Sequence, residues 1–218
     1  MGETTLGALA RAMTNKLGVK ILSPEFEILL SLYDHGGFTA GELQLKSSAS
    51  ASAFYARLKL LIGSGTVRLD KGTADRRISF YTLAPATRRI LDEALHVIDG
   101  WVEAKTEATG AQAIAFNRHL AQVSNQLDLC LFSTEFTIVM NVYDGEPIAT
   151  SDLFYRSRAV NSRFYAALTL LAAQRTIRSF IDPDDRRRRI YCLPRGVRMQ
   201  IDEVLREFRV IRPQPELV

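Results

Sequence analysis

The sequence has few residues that suit disulfide or metal chemistry. It contains two cysteines, Cys130 and Cys192, and three histidines, and no Cys-x-x-Cys pair is present. This usage excludes a disulfide scaffold and a zinc finger. We therefore predict no metal site and no cofactor.

Long hydrophobic runs are also missing. No apolar run approaches the ~18 residues that a membrane span requires, and the N-terminus lacks a basic stretch followed by an apolar core. We expect no membrane partner and a cytoplasmic location. The apolar fraction of 47% and the charged fraction of 24% are typical of a globular protein.

Residues for catalysis are not grouped in the sequence. His35, His96 and His119 are scattered, and the acidic pairs at 92–93 and 184–185 have no nucleophile or base beside them. We predict no catalytic residue, and hence a protein that is not an enzyme.

What the sequence does contain is an internal repeat. Shifted by 110 residues, it aligns with itself without a gap, and residues 22–83 share about 23 identities with residues 132–193 over 62 positions. Residues Phe54-Tyr55-Ala56, for example, fall on Phe164-Tyr165-Ala166. Two copies of this length predict a duplicated domain, with one copy in residues 1–108 and the other in residues 109–218.

Each copy begins with a helix-start signal. Ser23-Pro24-Glu25 offers a capping serine, a proline at the first helical position and an acid near the positive end of the helix dipole, and Ser133-Thr134-Glu135 repeats it. A short helix is predicted next, at about 40–45 and 150–155. A longer helix follows at about 50–63 and 161–173, with apolar residues at i, i+4 and i+7.

After the longer helix the apolar period becomes that of strands. Short strands near 66–69 and 176–179 are followed by return strands near 78–83 and 189–193, with polar, arginine-rich tips between them. Further helices flank each copy. The predicted fold class is mainly α with small β-hairpin wings: two tandem winged helix-turn-helix domains with packing helices around them.

This layout resembles the MarR family of bacterial transcription regulators. Asp75-Arg76-Arg77 with Tyr81-Thr82-Leu83, and Asp185-Arg186-Arg187 with Tyr191-Cys192-Leu193, match the wing of that family. Gly65, after the longer helix, matches as well, although Arg175 replaces it in the second copy. Members are usually single-copy chains that dimerise through their terminal helices, whereas here two copies share one chain. The resemblance implies sequence-specific binding of double-stranded DNA and transcription regulation, and it specifies no effector ligand.

Candidate DNA-contacting residues lie on or near the free side of each longer helix, the predicted recognition helix. Arginine pairs with guanine in bidentate fashion and asparagine with adenine, so the second copy offers the stronger base-reading groups. The candidates in the second copy are Arg158, Asn161, Ser162, Arg163 and Thr169, and those in the first are Ser48, Ser50, Ser52, Arg57 and Lys59.

The wing tips supply further candidates, because wing arginines enter the minor groove or clamp phosphates. They are Arg76 and Arg77 in the first copy and Arg186, Arg187, Arg188 and Arg189 in the second. The alternative is a solvated turn in which these arginines pair with neighbouring aspartates. Residues 1–108 carry a net charge of +1 and residues 109–218 a net charge of +3, and every basic residue of the second half is arginine.

The main interpretation is a regulator in which one chain imitates a dimer, bound to DNA of the nucleoid. Further pairing of two chains stays open. Two alternatives remain: a protein-interaction module of the kind found in chromosome-organising tandem winged helices, and a plasmid-type replication initiator.

Overall fold

The structure is a computed structural model that describes residues 4–71, 79–103, 110–145 and 147–207. It is mainly helical with small antiparallel sheets, as predicted. Before the first winged helix lies α1 (Thr5–Leu17). No helix within the described ranges is both long and apolar enough to cross a bilayer.

The first winged helix contains three helices and a hairpin. In chain order these are α2 (Pro24–His35), α3 (Ala40–Lys46), α4 (Ala51–Gly63), β1 (Val67–Lys71) and β2 (Ser79–Leu83). The helices α5 (Pro85–Glu103) and α6 (Gly110–Leu127) follow. β1 and β2 pair in antiparallel register, with Val67 opposite Leu83. Phe38 forms an isolated bridge with Tyr81, so residues just before α3 also pair with the hairpin.

The same order of elements occurs in the second half. It runs α7 (Thr134–Asp144), β3 (Ile148–Ala149), α8 (Thr150–Ser157), α9 (Asn161–Ala173), β4 (Arg178–Ile181), β5 (Arg189–Cys192) and α10 (Arg195–Glu207). The three strands form one sheet in the order β3-β5-β4. The two-residue strand β3 is not predicted from the sequence. It stands at the position of Phe38 in the repeat.

The predicted buried stripes of the longer helices are confirmed. Phe54, Leu58 and Leu61 of α4 are buried, as are their counterparts on α9. Burying a side chain of this size stabilises a fold by about 1.5–3 kcal/mol. The stripe therefore fixes which face of each helix turns outward.

The chain forms two compact units whose composition crosses the repeat boundary. The first unit contains Leu22–Leu131 together with the chain up to Leu9, and the second contains Ala10–Ile21 together with Phe132–Phe208. Each winged helix is thus completed by a segment that, along the chain, precedes the other winged helix. The division at residues 108 and 109 describes the covalent repeat, and as a domain boundary it stays a prediction.

Two capping serines hold these exchanged segments. The Ser23 hydroxyl accepts a hydrogen bond from the Phe26 N–H (3.1 Å) and donates one to the Cys130 carbonyl (2.5 Å), while the Ser23 N–H donates to the Leu131 carbonyl (3.0 Å). The serine predicted as a helix cap therefore also binds the segment that completes its unit.

Ser133 repeats the arrangement in the second unit. Its hydroxyl accepts from the Phe136 N–H (3.0 Å) and donates to the Lys20 carbonyl, and its N–H donates to the Ile21 carbonyl (2.9 Å). Backbone groups that leave water need partners, and at both helix starts one serine bonds three of them, two through its hydroxyl and one through its N–H.

Candidate nucleic-acid interface

In the second unit, α9 presents a polar edge at its start. Phe164, Leu168 and Leu171 are buried, whereas Asn161, Ser162 and Arg163 are exposed. Within the described part of the chain, these three polar side chains have no hydrogen-bond or ion-pair partner. An amide, a hydroxyl and a guanidinium are therefore free to meet a ligand at one end of the helix.

Two other candidates of the second unit are more constrained. The Thr169 hydroxyl donates to the Tyr165 carbonyl one turn earlier (2.9 Å), which leaves its methyl group and its acceptor lone pairs outward. Arg158 ends α8 in the left-handed backbone region, at φ 52°, and its side chain is exposed. It lies in the turn between α8 and α9.

In the first unit, fewer of the candidate polar side chains on or near α4 are unpaired among the described residues. Ser50, Ser52 and Lys59 are exposed. The other two candidates are engaged by acids of α2. Arg57 forms an ion pair with Glu25 at 2.7 Å. Ser48 donates to one carboxylate oxygen of Glu27 from both its hydroxyl (2.6 Å) and its N–H (3.1 Å).

A tyrosine on each longer helix is half exposed. Tyr55 is 49% exposed and Tyr165 is 53% exposed. Each ring stands edge-on to the buried phenylalanine that precedes it, at 5.2 Å between centroids. The two rings are therefore held by the core on one edge and reach solvent with the other.

The wing of the second unit has an ordered tip shaped by aspartates. The Asp182 carboxylate accepts from the Asp184 N–H (3.0 Å), and the Asp185 carboxylate accepts from the Arg187 N–H (3.0 Å). The Asp182 N–H also donates to the Arg188 carbonyl (3.0 Å). These carboxylates thus bind backbone groups of the turn.

The same tip carries four arginines. All are exposed, and among the described residues none forms an ion pair with an acidic side chain. The Arg189 guanidinium donates to the Ser179 hydroxyl at 3.5 Å. Among the described residues, the arginine–aspartate ion pairs named in the solvated-turn alternative are therefore not formed. These arginines are Arg186, Arg187, Arg188 and Arg189.

The first wing is only partly described. Arg76 and Arg77 lie outside the residues that the structure describes. On the described strands, Arg68 of β1 and its repeat partner Arg178 of β4 are both exposed. The sequence reading missed this pair, although both positions are arginine at the 110-residue offset.

A second repeated cluster, also missed, joins each winged helix to the helix that follows it. The Tyr33 hydroxyl donates to the Asp92 carboxylate (2.7 Å), and the Arg88 guanidinium lies 5.3 Å from the Tyr33 ring centroid. Burial, with the hydrogen bond to Asp92, raises the pKa of Tyr33 to about 12. Extending the repeat alignment beyond residue 83 would have shown the three positions.

The second copy of this cluster is more buried. The Tyr143 hydroxyl donates to the Asp202 carboxylate (2.6 Å), and Arg198 stacks on the Tyr143 ring at 4.8 Å and donates to the Tyr143 carbonyl (3.0 Å). Burial first, and then the bond to Asp202, raise the pKa of Tyr143. Burial likewise raises the pKa of Asp144, against the opposing effect of Arg156 and Arg198.

No family model matches the chain, and no curated protein matches it. Similar solved structures are transcription regulators. BpsR of Bordetella bronchiseptica, whose DNA binding is described as regulated by 6-hydroxynicotinic acid, is 17% identical, with 54% of this chain and 86% of that chain covered and a TM-score of 0.31. A MarR mutant of E. coli complexed with operator DNA is 21% identical, with 53% and 85% covered and a TM-score of 0.32.

A third similar structure is the transcriptional regulator BldR of Sulfolobus solfataricus. It is 23% identical, with 53% of this chain and 86% of that chain covered and a TM-score of 0.31. The predicted resemblance to MarR is thus met by solved structures that span about half of this chain. At these identities and scores the likenesses carry no weight for its function, which we base on its own side chains.

Proposed function

We propose that the chain is a sequence-specific double-stranded DNA-binding transcription regulator in which two winged helices of one chain act as a pseudo-dimer. The observation that carries this proposal is the set of exposed polar side chains on the second unit. On its recognition helix α9, Asn161, Ser162 and Arg163 are exposed, and its wing tip exposes four arginines that have no acidic partner among the described residues. A regulator of this kind acts on nucleoid DNA in the cytoplasm.

The free groups on α9 match the edges of bases. A guanidinium donates two parallel hydrogen bonds to guanine, and a carboxamide pairs with adenine. Both groups stand near the start of the helix, the end that contacts base edges when a recognition helix lies in the major groove. We assign base reading to Asn161 and Arg163, with Ser162, Thr169 and Arg158 beside them.

The wing arginines suit the DNA backbone. Phosphate contacts position a protein on the duplex and supply most of its salt-dependent affinity. Exposed arginines on a tip whose shape is set by aspartate–backbone bonds can contact phosphates or the minor groove without disturbing the fold. We assign this role to Arg186–Arg189 and, in the first wing, to Arg76 and Arg77.

In the first unit we assign DNA contact to Ser50, Ser52 and Lys59, which are exposed on or beside α4. Ser48 and Arg57 are left out of this set because acids of α2 hold them. The two longer helices differ in sequence, so the site is an imperfect inverted repeat, with half-sites about 10 bp apart.

The experiment is a binding titration with the full chain on a selected operator. Arg163→Ala or Asn161→Ala is expected to weaken binding by about 1–3 kcal/mol and to relax base preference in one half-site only. Ser52→Ala, on the other recognition helix, serves as a matched variant with a smaller effect. Equal weakening on all sequences would mean phosphate contact, and a footprint of a single half-site per chain would refute the pseudo-dimer.

One observation favours a protein-interaction module instead. Apolar side chains lie exposed beside the recognition helices: Leu45, at 90% exposure, and its repeat partner Tyr155, at 84%. The second function is favoured if the folded chain binds no DNA in the titration and if Leu45→Ser with Tyr155→Ser leaves its stability unchanged. Unchanged stability would mean that the fold does not need these two exposed side chains, which are then available to a protein partner.

A further inference from the structure

The two units differ in how their own acids engage the side chains that the sequence predicts as candidates for DNA contact. In the first unit, Glu25 sits 2.7 Å from the Arg57 guanidinium, and Glu27 accepts two hydrogen bonds from Ser48. Both acids lie in the first turn of α2. They occupy a cation of α4 and a turn hydroxyl, and they add negative charge on that side of the unit.

In the described part of the second unit, neither restraint is found. At the 110-residue offset, Glu25 corresponds to Glu135, but Arg57 corresponds to Ala167, which is buried. Glu27 is replaced by Thr137, whose hydroxyl donates to the carbonyl of Ser133 (2.9 Å).

The turn residue changes as well. Ser48 is replaced by Arg158, which is exposed and, among the described residues, free of an acidic partner. The second unit thus gains a cation where the first has an acid-bound hydroxyl.

The two recognition helices therefore expose different polar side chains. On α4 the exposed polar groups include Ser52 and Lys59, and an ammonium is a point charge suited to phosphate. On α9 they include Asn161 and Arg163, the two groups with bidentate geometry for bases.

We infer that the two winged helices read DNA unequally: the second unit carries the base discrimination, whereas Glu25 and Glu27 hold the first unit to weak contacts of low sequence selectivity. This inference rests on the proposed function. It makes the two acids specificity-determining residues that act through Arg57 and Ser48. The operator therefore has one half-site of defined sequence and one that is degenerate.

The first test selects binding sites from random duplex DNA with the full chain. Base preference is expected in one half of the recovered sites, and Arg163→Ala is expected to flatten that half. Equal preference in both halves would overturn the inference and leave the proposed function standing. Absence of DNA binding by the folded chain would overturn both.

The second test is a double-mutant cycle between Glu25→Ala and Arg57→Ala. In the otherwise native chain, Arg57→Ala is expected to change DNA affinity by less than about twofold, because the partly buried ion pair with Glu25 already engages that guanidinium. In the Glu25→Ala chain the freed arginine reaches phosphate, so the slope of log K against log salt steepens by about 0.9. Between 50 and 200 mM salt this corresponds to roughly threefold more loss of affinity. Adding Arg57→Ala then restores the native slope.

Glu135→Ala is the matched control, because the facing position holds Ala167 and no arginine is released. Its salt slope is expected to equal that of the native chain. Thermal unfolding verifies that each variant folds, and Glu25→Gln replaces Glu25→Ala if the latter does not. An unchanged slope in the folded Glu25 variant, or the same change in both variants, would overturn the assignment of Glu25.

Discussion

The wing of the second unit gives the most direct test of DNA contact. Arg186 and Arg187 are exposed, and their tip is held by hydrogen bonds from backbone N–H groups to Asp182 and Asp185. Replacing both arginines by alanine removes two charges without touching those bonds. We therefore expect the fold to survive and the DNA affinity to fall.

The magnitude follows from counterion release. Each lost phosphate contact flattens the slope of log K against log salt by about 0.9, so two contacts flatten it by about 1.8. Over a fourfold change in salt, from 50 to 200 mM, the native chain should then lose about twelvefold more affinity than the Arg186→Ala/Arg187→Ala chain. Fluorescence anisotropy with a labelled operator duplex measures both slopes.

Two comparisons sharpen this test. Arg186→Lys with Arg187→Lys keeps the charge and should keep most of the slope, whereas the alanine pair should not. Arg76→Ala with Arg77→Ala in the first wing should act in the same direction but more weakly, because that half carries the lower net charge. If the alanine pair in the second wing leaves affinity and slope unchanged, these arginines are a solvated turn and the reasoning fails.

Three predictions concern stability. Arg175→Gly should raise the free energy of unfolding in urea by about 0.5–1 kcal/mol, because Arg175 has a left-handed backbone (φ 58°) where the first copy has Gly65. Glycine removes a backbone strain of ~1–2 kcal/mol, and this gain exceeds the loss from the greater conformational freedom of the unfolded chain. A lower free energy of unfolding in the variant would contradict this. Tyr143→Phe should cost about 1–2 kcal/mol, more than Tyr33→Phe, because the bond it removes, to Asp202, is the more buried; equal costs would show that burial is not the cause. The pKa of Tyr33 is raised to about 12, so the stability that its protonated hydroxyl contributes is present below pH 10 and is lost as the pH rises through 12. In Tyr33→Phe the free energy of unfolding should therefore fall less between pH 10 and 12 than in the native chain, as measured by unfolding at a series of pH values.

The helix boundaries could be predicted because their signals are local. Ser23 caps α2 as its sequence indicates, Ser133 does the same for α7, and α9 spans the predicted residues 161–173. Caps, prolines and apolar spacing act within one turn of helix. The duplication allowed each signal to be read twice.

What the sequence did not reveal depends on contacts between distant residues. Strand β3 has only two residues and exists through its pairing with β5. The pair of Glu25 with Arg57 depends on how α2 packs against α4, and 32 positions separate the two residues. The exchange of segments at Ser23 and Ser133 involves positions more than 100 residues apart. Side-chain type and spacing carry no record of such partners.

In a duplicated chain, the two winged helices can differ in sequence, whereas the two subunits of a homodimer cannot. In a homodimer each substitution appears on both halves of the site, so an acid that restrains an arginine restrains two. Here Arg57 faces Glu25 in one copy while Ala167 stands in its place in the other. Linkage keeps both winged helices at high effective concentration once either is bound. Under the proposed function, the first unit therefore adds affinity through contacts such as Lys59 without reading bases, and base reading rests on α9.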